Sequence, residues 1–252
     1  MTPIPPPVSG FTGSYGQGMN PDPDTDDRAW AAAELWETTG DADVLAAFEA
    51  MGTKLLVQAY WDWDNVSNLG IFSYLASERE GRNPDVLQRL TSSLRSTTDA
   101  MVKQSQNHPY GRSLGNSYNW GINGTIARTT LAIVLDSRLS PANEREDLDA
   151  ASLQLTHQFG RNYYGRSFLT GVGILPPLNP HYRPAVGDGI DPPWPGLLVG
   201  GSWAQQSMSS MPGANAFPAD QWKDDSNNYQ TNEVAINWNA ALIYNLAAFL
   251  PE

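Results

Sequence analysis

Apolar side chains recur at a helical spacing along most of the chain between Asp26 and Gly160. The same spacing returns near the C-terminus, where Trp238, Leu242 and Leu246 fall on one helical face. This pattern predicts an all-α chain with about six or seven helices. Their expected spans are 26–39, 41–61 with a break at Gly52, 68–80, 84–101, 120–139, 141–159 and 234–250.

Capping residues support several of these helix boundaries. Asp26 and Asp27 place negative charge in a first turn, which the helix dipole favours, and Gly40 suits a C-terminal cap. Asn83 precedes Pro84, which pairs a cap residue with a first-turn proline. Because short Gly, Asp and Pro links join the segments, we expect neighbouring helices to pack as antiparallel hairpins.

The pattern changes between residues 160 and 232. This stretch contains ten Gly and nine Pro and has no sustained helical period. A loop region of that length inside a compact domain is usually functional. Residues 1–25 are also rich in Pro, Gly and Asp, and we expect them to form an extended N-terminal segment ahead of a single domain, 26–252.

Composition and charge narrow the function classes. The net charge is −12, which disfavours nucleic acid and anionic membranes as partners and suits a neutral substrate such as a polysaccharide. The chain has no cysteine, so disulfides, thiolate metal sites and cysteine nucleophiles are excluded. The first residues show no signal-peptide pattern, and no apolar run approaches the roughly 20 residues that span a bilayer, so we expect a soluble chain.

The candidate chemistry lies at the end of the loop region, where Trp222, Asp224 and Tyr229 lead into Glu233 and an apolar helix. Aromatic faces stack on sugar rings, and amides and carboxylates hydrogen-bond to sugar hydroxyls. We expect Glu233 in the first turn of the last helix. There, burial or the neighbouring Asp224 would raise its pKa, while the helix dipole would oppose the rise.

Two motifs resemble the catalytic domain of glycoside hydrolase family 9, which includes bacterial and plant cellulases. The family's glutamate motif is filled here by Trp222, Asp224, Tyr229, Glu233, Ala235, Asn239 and Ala240. Its His-x-Arg motif is matched by Thr170, Gly173, Pro180, His181 and Arg183. Leu175 departs from the family, which usually has a basic or amide residue at that position. The segment from Pro192 to Gly201 also resembles the family.

The resemblance implies an (α/α)6 toroid, of which this chain matches about the C-terminal half. It also implies a secreted endo-β-1,4-glucanase that inverts the anomeric configuration and requires no cofactor for the reaction. Glu233 would be the general acid, with Asp224 and His181 as further catalytic residues. The residues expected to bind the sugar chain are Arg183, Tyr229, Trp222 and Trp194.

The partner of the acid is missing from the sequence. An inverting glycosidase needs a second carboxylate, roughly 6.5–9.5 Å from the acid, to activate water. In the family this is an Asp in an Asp-Ala-Gly-Asp motif, and this sequence contains no such motif. We therefore expect the isolated chain to have little activity. Its first candidates for a substitute base are Asp24, Asp62 and Asp64.

A structural calcium ion is often bound by members of the family. The resemblance places its ligands at Asp26, Asp27 and Asp64, the last within a Trp-Asp-Asn segment. Carboxylate oxygens are suitable ligands for Ca²⁺. The same residues also suit a helix cap and a solvated turn, so both interpretations are open at this point.

Two other functions also stay open. The first is an exo-acting relative that removes glucosyl or glucosaminyl units, a choice that depends on loop lengths around the cleft. The second is a non-catalytic half-barrel that binds glycan or forms a homo-oligomer through helix faces left without neighbours. The absent base motif favours this second alternative.

Overall fold

The structure, a computed structural model, describes residues 24–204 and 217–250. Over these residues it is helical, as the hydrophobic pattern predicts, with isolated β-bridges in place of strands. The α-helices are α1 (Thr25–Thr39), α2 (Ala42–Gly52), α3 (Ser67–Ala76), α4 (Pro84–Asn107), α5 (Ile122–Leu139), α6 (Glu144–Gln158), α7 (Arg183–Gly187), α8 (Tyr229–Asn232) and α9 (Ile236–Ala247). In this part of the chain, no helix has the length and apolar character needed to cross a membrane.

The chain divides into two compact units, Met1–Thr97 and Thr98–Glu252, and the division falls within α4. Most of the segment 1–25, for which we expect an extended conformation, lies outside the described residues. Each unit has buried apolar residues of its own.

In the first unit, α1 packs against α2 and α3 around buried aromatic rings. The Tyr74 ring stacks on Phe48 with centroids 4.7 Å apart and lies 5.7 Å from the Trp36 ring. Gly70 allows α1 and α3 to approach closely, since a Cβ there would come within 2.9 Å of the Trp30 backbone. Ring packing and one small residue at a helix contact therefore shape this core.

Three predicted helix ends are formed by their expected residues. Gly40 has a φ of 71°, and its N–H donates to the Trp36 carbonyl at 2.8 Å, which ends α1. The Asp41 side chain accepts two N–H groups from the first turn of α2. Asn83 caps α4, accepting the Asp85 N–H at 2.9 Å. Local capping chemistry alone was sufficient to place these boundaries.

The predicted break at Gly52 is confirmed, because α2 ends there, but the expected continuation of helix toward Trp61 was wrong. Polar side chains take over the backbone groups of the following segment. Asn68 accepts the Gln58 N–H at 3.0 Å and donates to the Gln58 carbonyl at 2.8 Å. Such a side chain competes with helical hydrogen bonds, and hydrophobic periodicity does not reveal it.

In the second unit, α5 is the central helix. All but one of the residues from Ile122 to Ser137 are buried, and α6 and α9 pack against them. Gly121 and Gly124 admit Trp238 of α9, since a Cβ at either position would come within 2.3 Å of the indole. The Trp238 indole therefore packs directly on the backbone of these two glycines, and this contact fixes the distance between α5 and α9.

The Gly- and Pro-rich region also contributes to this core. It supplies more than half of one buried cluster, which consists of Ala127, Phe168, Leu169, Leu198, Val199, Trp222, Trp238, Ala241 and Leu242. Isolated bridges pair Leu169 with Leu198 and Val199 with Val234. The described part of the predicted loop region is therefore anchored on α5 and α9.

Candidate active site

The two family motifs meet at a short parallel bridge between His181 and Glu233. The His181 N–H donates to the Asn232 carbonyl at 2.7 Å, and the Gly200 N–H donates to the Glu233 carbonyl at 2.9 Å. Backbone hydrogen bonds therefore bring together residues that are distant in the sequence, as the resemblance implies. All of these residues belong to the second unit.

Glu233 does not lie in the first turn of a helix, which corrects the sequence prediction. It caps the C-terminus of α8 in an extended conformation, with φ −64° and ψ 150°. The next helix, α9, begins only at Ile236. Glu233 is therefore outside the first turn of α9, where the helix dipole was expected to oppose a raised pKa.

The pKa of the Glu233 carboxyl is shifted in the direction that a general acid requires. Burial raises this pKa above its ordinary value, while the charge of His181 and a hydrogen bond from the Trp120 indole act to lower it. Burial is the largest of these causes, so the net result is a raised pKa.

Asp224 holds the loop that precedes His181. Its two oxygens accept the N–H groups of Leu178 and Asn179 at 2.8 and 2.9 Å, and the Asn232 amide donates to it at 3.2 Å. Because both carboxylate oxygens already accept backbone N–H groups, this side chain orients the loop. These contacts favour a positioning role, and the catalytic role implied by the resemblance stays a prediction.

The His181 ring is fixed by a hydrogen bond of 2.6 Å between its Nδ1 and the Ser226 carbonyl. Because a carbonyl only accepts, Nδ1 carries the proton, which leaves Nε2 to face other groups. The Tyr229 ring lies 6.2 Å from the His181 ring, and the Tyr229 side chain is about half exposed. Tyr229 is therefore accessible beside His181, and its role as a sugar contact stays a prediction.

Arg183 and Trp194 are both exposed, as residues that contact a sugar chain must be. Arg183 is the first residue of α7. The Trp194 ring packs edge-on against Tyr182, with centroids 5.9 Å apart.

Thr170, another residue of the His-x-Arg motif, has a structural role. Its hydroxyl donates to the Trp194 carbonyl at 2.5 Å and is itself buried, so Thr170 supports the loop and does not reach the solvent.

The prediction that Trp222 binds the sugar chain was wrong. This side chain is only 6% exposed and belongs to the core cluster. Its ring meets Tyr164 and Phe168 edge-on at 5.3 and 5.4 Å, and the Arg166 guanidinium lies 4.9 Å from its centroid. A ring surrounded in this way has no free face for a sugar, so Trp222 anchors the loop instead.

Arg166 is a structural residue that the sequence reasoning missed. It donates to the carbonyls of Leu175 at 2.6 Å and Pro176 at 3.1 Å, and its guanidinium lies 3.9 Å from Asp224. Leu175, the position that departs from the family, has a φ of 47°, which a branched side chain disfavours. Arg166 therefore stabilises a turn in which the backbone of Leu175 is strained.

Trp120 is a second missed residue. The sequence pattern placed it at the start of the fifth helix, but it lies in the turn before α5 and is 47% exposed. Its indole acts to lower the pKa of the Glu233 carboxyl, and its ring meets Tyr229 edge-on. The only signal in the sequence was an aromatic residue directly before a glycine at a helix start.

The expected calcium ligands lie in the first unit. Asp26 accepts the Val66 N–H at 2.7 Å, and the pKa of Asp27 is raised by burial and by the Asp26 and Asp24 charges. Within the described residues, no group of three or more His, Asp or Glu side chains is arranged to hold a metal ion. A site at Asp26, Asp27 and Asp64 would need main-chain and water oxygens as well, so calcium stays a prediction.

The sequence is similar to those of several known proteins. The sequence model of glycosyl hydrolase family 9 matches residues 5–246. Endoglucanase D of Acetivibrio thermocellus is 51% identical over 245 residues, which cover 96% of this chain and 36% of that protein. A xyloglucan-specific endo-beta-1,4-glucanase of Bacteroides ovatus is 32% identical over 240 residues, which cover 92% of this chain and 39% of that protein.

Solved structures share the fold. The family 9 endoglucanase J30 superposes with a TM-score of 0.81 at 30% identity, covering 96% of this chain and 46% of that chain. A relative in complex with cellobiose-like isofagomine gives a TM-score of 0.80 at 28% identity, covering 94% and 44%. The chain thus spans under half the length of these proteins and matches part of an (α/α)6 toroid. Since the family model matches nearly its whole length, this chain belongs to glycosyl hydrolase family 9.

Proposed function

We propose that this chain carries the general acid of an endo-β-1,4-glucanase and that Glu233 is that acid. In an inverting hydrolysis, the acid protonates the glycosidic oxygen as the bond from C1 to that oxygen breaks. A second carboxylate takes a proton from the water that attacks C1 on the opposite face. Glu233 supplies the first of these two groups.

The observation that carries this proposal is the partly buried Glu233 carboxyl, with its raised pKa, beside His181 and Tyr229. A raised pKa keeps a proton on the carboxyl at a pH where an ordinary glutamate has lost it. We assign the Nε2 of His181 to a sugar hydroxyl, and the exposed Arg183, Tyr229 and Trp194 to further sugar contacts.

The relatives indicate the class of substrate. One is named an endoglucanase, another is named a xyloglucan-specific endo-beta-1,4-glucanase, and a related structure holds a cellobiose-like ligand. We extend a β-1,4-glucan substrate to this chain because its Glu233 motif is complete and because His181 and Tyr229 lie beside that residue.

The same chemistry predicts that the chain hydrolyses glucan poorly by itself. Its sequence lacks the Asp-Ala-Gly-Asp motif that supplies the base in the family. Without a base, water is a weak nucleophile at C1. A small anionic nucleophile such as azide needs no base, so it can stand in for the activated water.

The test uses azide and an aryl β-cellobioside with a poor leaving group. An azide nitrogen bonds to C1, the bond from C1 to oxygen breaks, and the Glu233 proton moves to the departing oxygen. We expect the native chain to form the glycosyl azide about 10²–10⁴-fold faster than the Glu233→Gln variant. Cellotetraose binding, followed by NMR, should change much less.

The matched control is Glu80→Gln, which alters an exposed glutamate of the first unit. This variant should react like the native chain. Equal rates in the native chain and the Glu233→Gln variant would remove Glu233 from the acid role. Absence of cellotetraose binding in every variant would remove the glycan site itself.

A non-catalytic, self-associating half-barrel is the second candidate. The observation in its favour is an apolar stripe on α9, where Ile236 and Ile243 are 90% and 65% exposed. These residues are seven positions apart and share one helical face, which is rarely left bare on a soluble protein. Light scattering should then show a dimer that Ile243→Glu dissociates, and a native monomer would exclude this candidate.

We also propose that calcium binds near Asp26, Asp27 and Asp64. The pKa of Asp27 is raised mainly by burial and in addition by the neighbouring Asp26 and Asp24 charges. Support for the site comes from this second cause, since a cation would relieve the repulsion between the carboxylates. A chelator should then lower the melting temperature, and added Ca²⁺ should restore it, because a ligand bound by the native state stabilises that state. A melting curve that excess chelator leaves unchanged would contradict the site.

A further inference from the structure

Asn232, the last residue of α8, contacts the chain on both sides of Pro180. Its side-chain amide donates to the Asn179 carbonyl, and its main-chain carbonyl accepts the His181 N–H at 2.7 Å. Pro180 lies between these two contacts and has no N–H of its own. Asn232 therefore holds the backbone directly before and directly after this proline.

The partners of the Asn232 side chain require an amide. Its Oδ1 accepts the Trp222 indole N–H at 3.1 Å. Its Nδ2 donates to the Asn179 carbonyl and, at 3.2 Å, to the Asp224 carboxylate. An indole N–H can only donate, whereas a carbonyl and an ionised carboxylate can only accept. The partners therefore assign the oxygen and the nitrogen of the amide, and they use both of its N–H groups.

The surroundings of Asn232 keep these contacts away from water. The residue is fully buried, and two of its partners are held by further contacts. Trp222 belongs to the core cluster, and Asp224 lies 3.9 Å from the Arg166 guanidinium. Buried hydrogen bonds are costly to break, because the separated groups find no water to replace the lost partner. Asn232 is therefore a fixed point for the segment that carries His181.

Glu233 follows Asn232 directly in the sequence, so both sides of the candidate site depend on this fixed point. The Glu233 carbonyl accepts the Gly200 N–H at 2.9 Å, and the Glu233 N–H donates to the Tyr229 carbonyl at 3.3 Å. These contacts hold the Glu233 backbone independently of the Asn232 side chain. Loss of that side chain would therefore release the segment of His181 while Glu233 kept its own contacts.

We propose that Asn232 is a positioning residue, which sets the distance between His181 and the Glu233 carboxyl. This inference rests on the proposed role of Glu233 as the acid. The Ser226 carbonyl fixes the direction in which the His181 ring faces, and Asn232 fixes where the backbone of that ring lies. Misplacement by about 1 Å can lower a rate about 10²-fold, so a buried residue can govern the reaction without touching the sugar.

The test exchanges only the donor half of the amide. Asn232→Asp keeps the shape and the oxygen that accepts the indole N–H, but it removes both N–H donors. We expect the His181 N–H to exchange with deuterated water about 10–100-fold faster, as measured by NMR.

The matched control is Asn68→Asp in the first unit. Asn68 is also fully buried, and its amide likewise accepts one N–H and donates to one carbonyl, both of Gln58. Exchange should accelerate at Gln58 in this variant and stay native at His181. Native His181 exchange in Asn232→Asp, or equal His181 exchange in the two variants, would overturn the proposal.

The azide reaction separates positioning from a purely structural role. Asn232→Asp should react about 10–100-fold more slowly than the native chain, while cellotetraose binding weakens much less. Asn68→Asp should react like the native chain. A native azide rate in Asn232→Asp, where Glu233→Gln is slow, would also overturn the proposal.

A second measurement needs no substitution, so it does not depend on how a variant folds. In the native chain, one opening of the segment breaks both contacts with Asn232. The protection factors of the Asn232 side-chain N–H groups and of the His181 N–H should therefore agree within about tenfold. The exposed Asn227 amide is the reference and should show little protection. Much weaker protection at His181 than at the Asn232 amide would overturn the proposal.

Neither exchange experiment depends on hydrolysis. Loss of the acid role would appear as equal azide rates in the native chain and the Glu233→Gln variant. Failure of the present inference would appear in the exchange of the His181 N–H. The two results can therefore be told apart.

Discussion

The helices α5 and α9 and the loop region between residues 160 and 233 belong to the same unit but are held together differently. The helices meet through apolar packing, with Trp238 lying on Gly121 and Gly124. The loops are held by polar side chains, such as Asp224 and Arg166, that bind backbone groups. Packing fixes the frame, and hydrogen bonds fix the segments that carry the candidate chemistry.

This difference explains why the polar residues of one motif do not all have a catalytic role. Asp224 and Glu233 belong to the same motif, yet Asp224 binds two backbone N–H groups while burial raises the pKa of the Glu233 carboxyl. A carboxylate that is saturated by backbone donors supports a loop. One that is partly buried with a raised pKa is suited to proton transfer.

The largest effect should come from the residue that joins both regions. Trp238 contacts the backbone of α5 and lies close to Gly200 of the loop region. Trp238→Ala should lower the free energy of unfolding by about 3–5 kcal/mol, because it removes a large buried ring and leaves a cavity. Urea unfolding measures this loss. The half-exposed Trp194 is the control, since Trp194→Ala should cost far less; similar losses would contradict the packing argument.

Removal of the Asp224 carboxylate, which binds two backbone N–H groups of the loop, should have a smaller and more local effect. Asp224→Ala leaves the N–H groups of Leu178 and Asn179 to water, and we expect a loss of about 1–2 kcal/mol. Amide exchange should accelerate at Leu178 and Asn179 and stay unchanged in α5. Glu80→Ala removes an exposed carboxylate of the first unit and should change little. Uniform acceleration across the helices would show that Asp224 supports the core and not only the loop.

Relief of backbone strain should stabilise the loop. Leu175 has a φ of 47°, a conformation that costs a residue other than glycine about 1–2 kcal/mol and that Asn tolerates better. Leu175→Asn should therefore raise the free energy of unfolding by about 1 kcal/mol. Leu178→Asn alters a nearby exposed leucine and serves as the control. Equal effects of the two substitutions would mean that Leu175 is not strained.

The smallest effect that we expect depends on pH. The folded-state pKa of Glu233 is raised above its ordinary value of 4.5, so its ionisation destabilises the fold as the pH rises from near 4.5 through the raised pKa. Glu233→Gln should match the native chain in acid and melt at a higher temperature above this window. Melting curves across pH test this, with Glu80→Gln as control. A constant difference at every pH would exclude the raised pKa.

Much of the helical frame was predictable, because capping and periodicity are local properties. Gly40, Asp41 and Asn83 act at the boundaries where the sequence places them. The loss of helix between Gly52 and Trp61 was not predictable, since Asn68, a residue of the next helix, binds the backbone of Gln58. An interaction between distant segments leaves no mark on the periodicity of either one.

The sequence by itself determined the family, the helical class and the identity of the candidate acid, because motifs are patterns of residue type along the chain. Only the tertiary structure decided what surrounds each residue. It buried Trp222 in the core, occupied Asp224 with backbone donors and raised the pKa of Glu233 by burial. Burial and hydrogen-bond partners depend on neighbours in space, and these set a side chain's pKa and access to substrate.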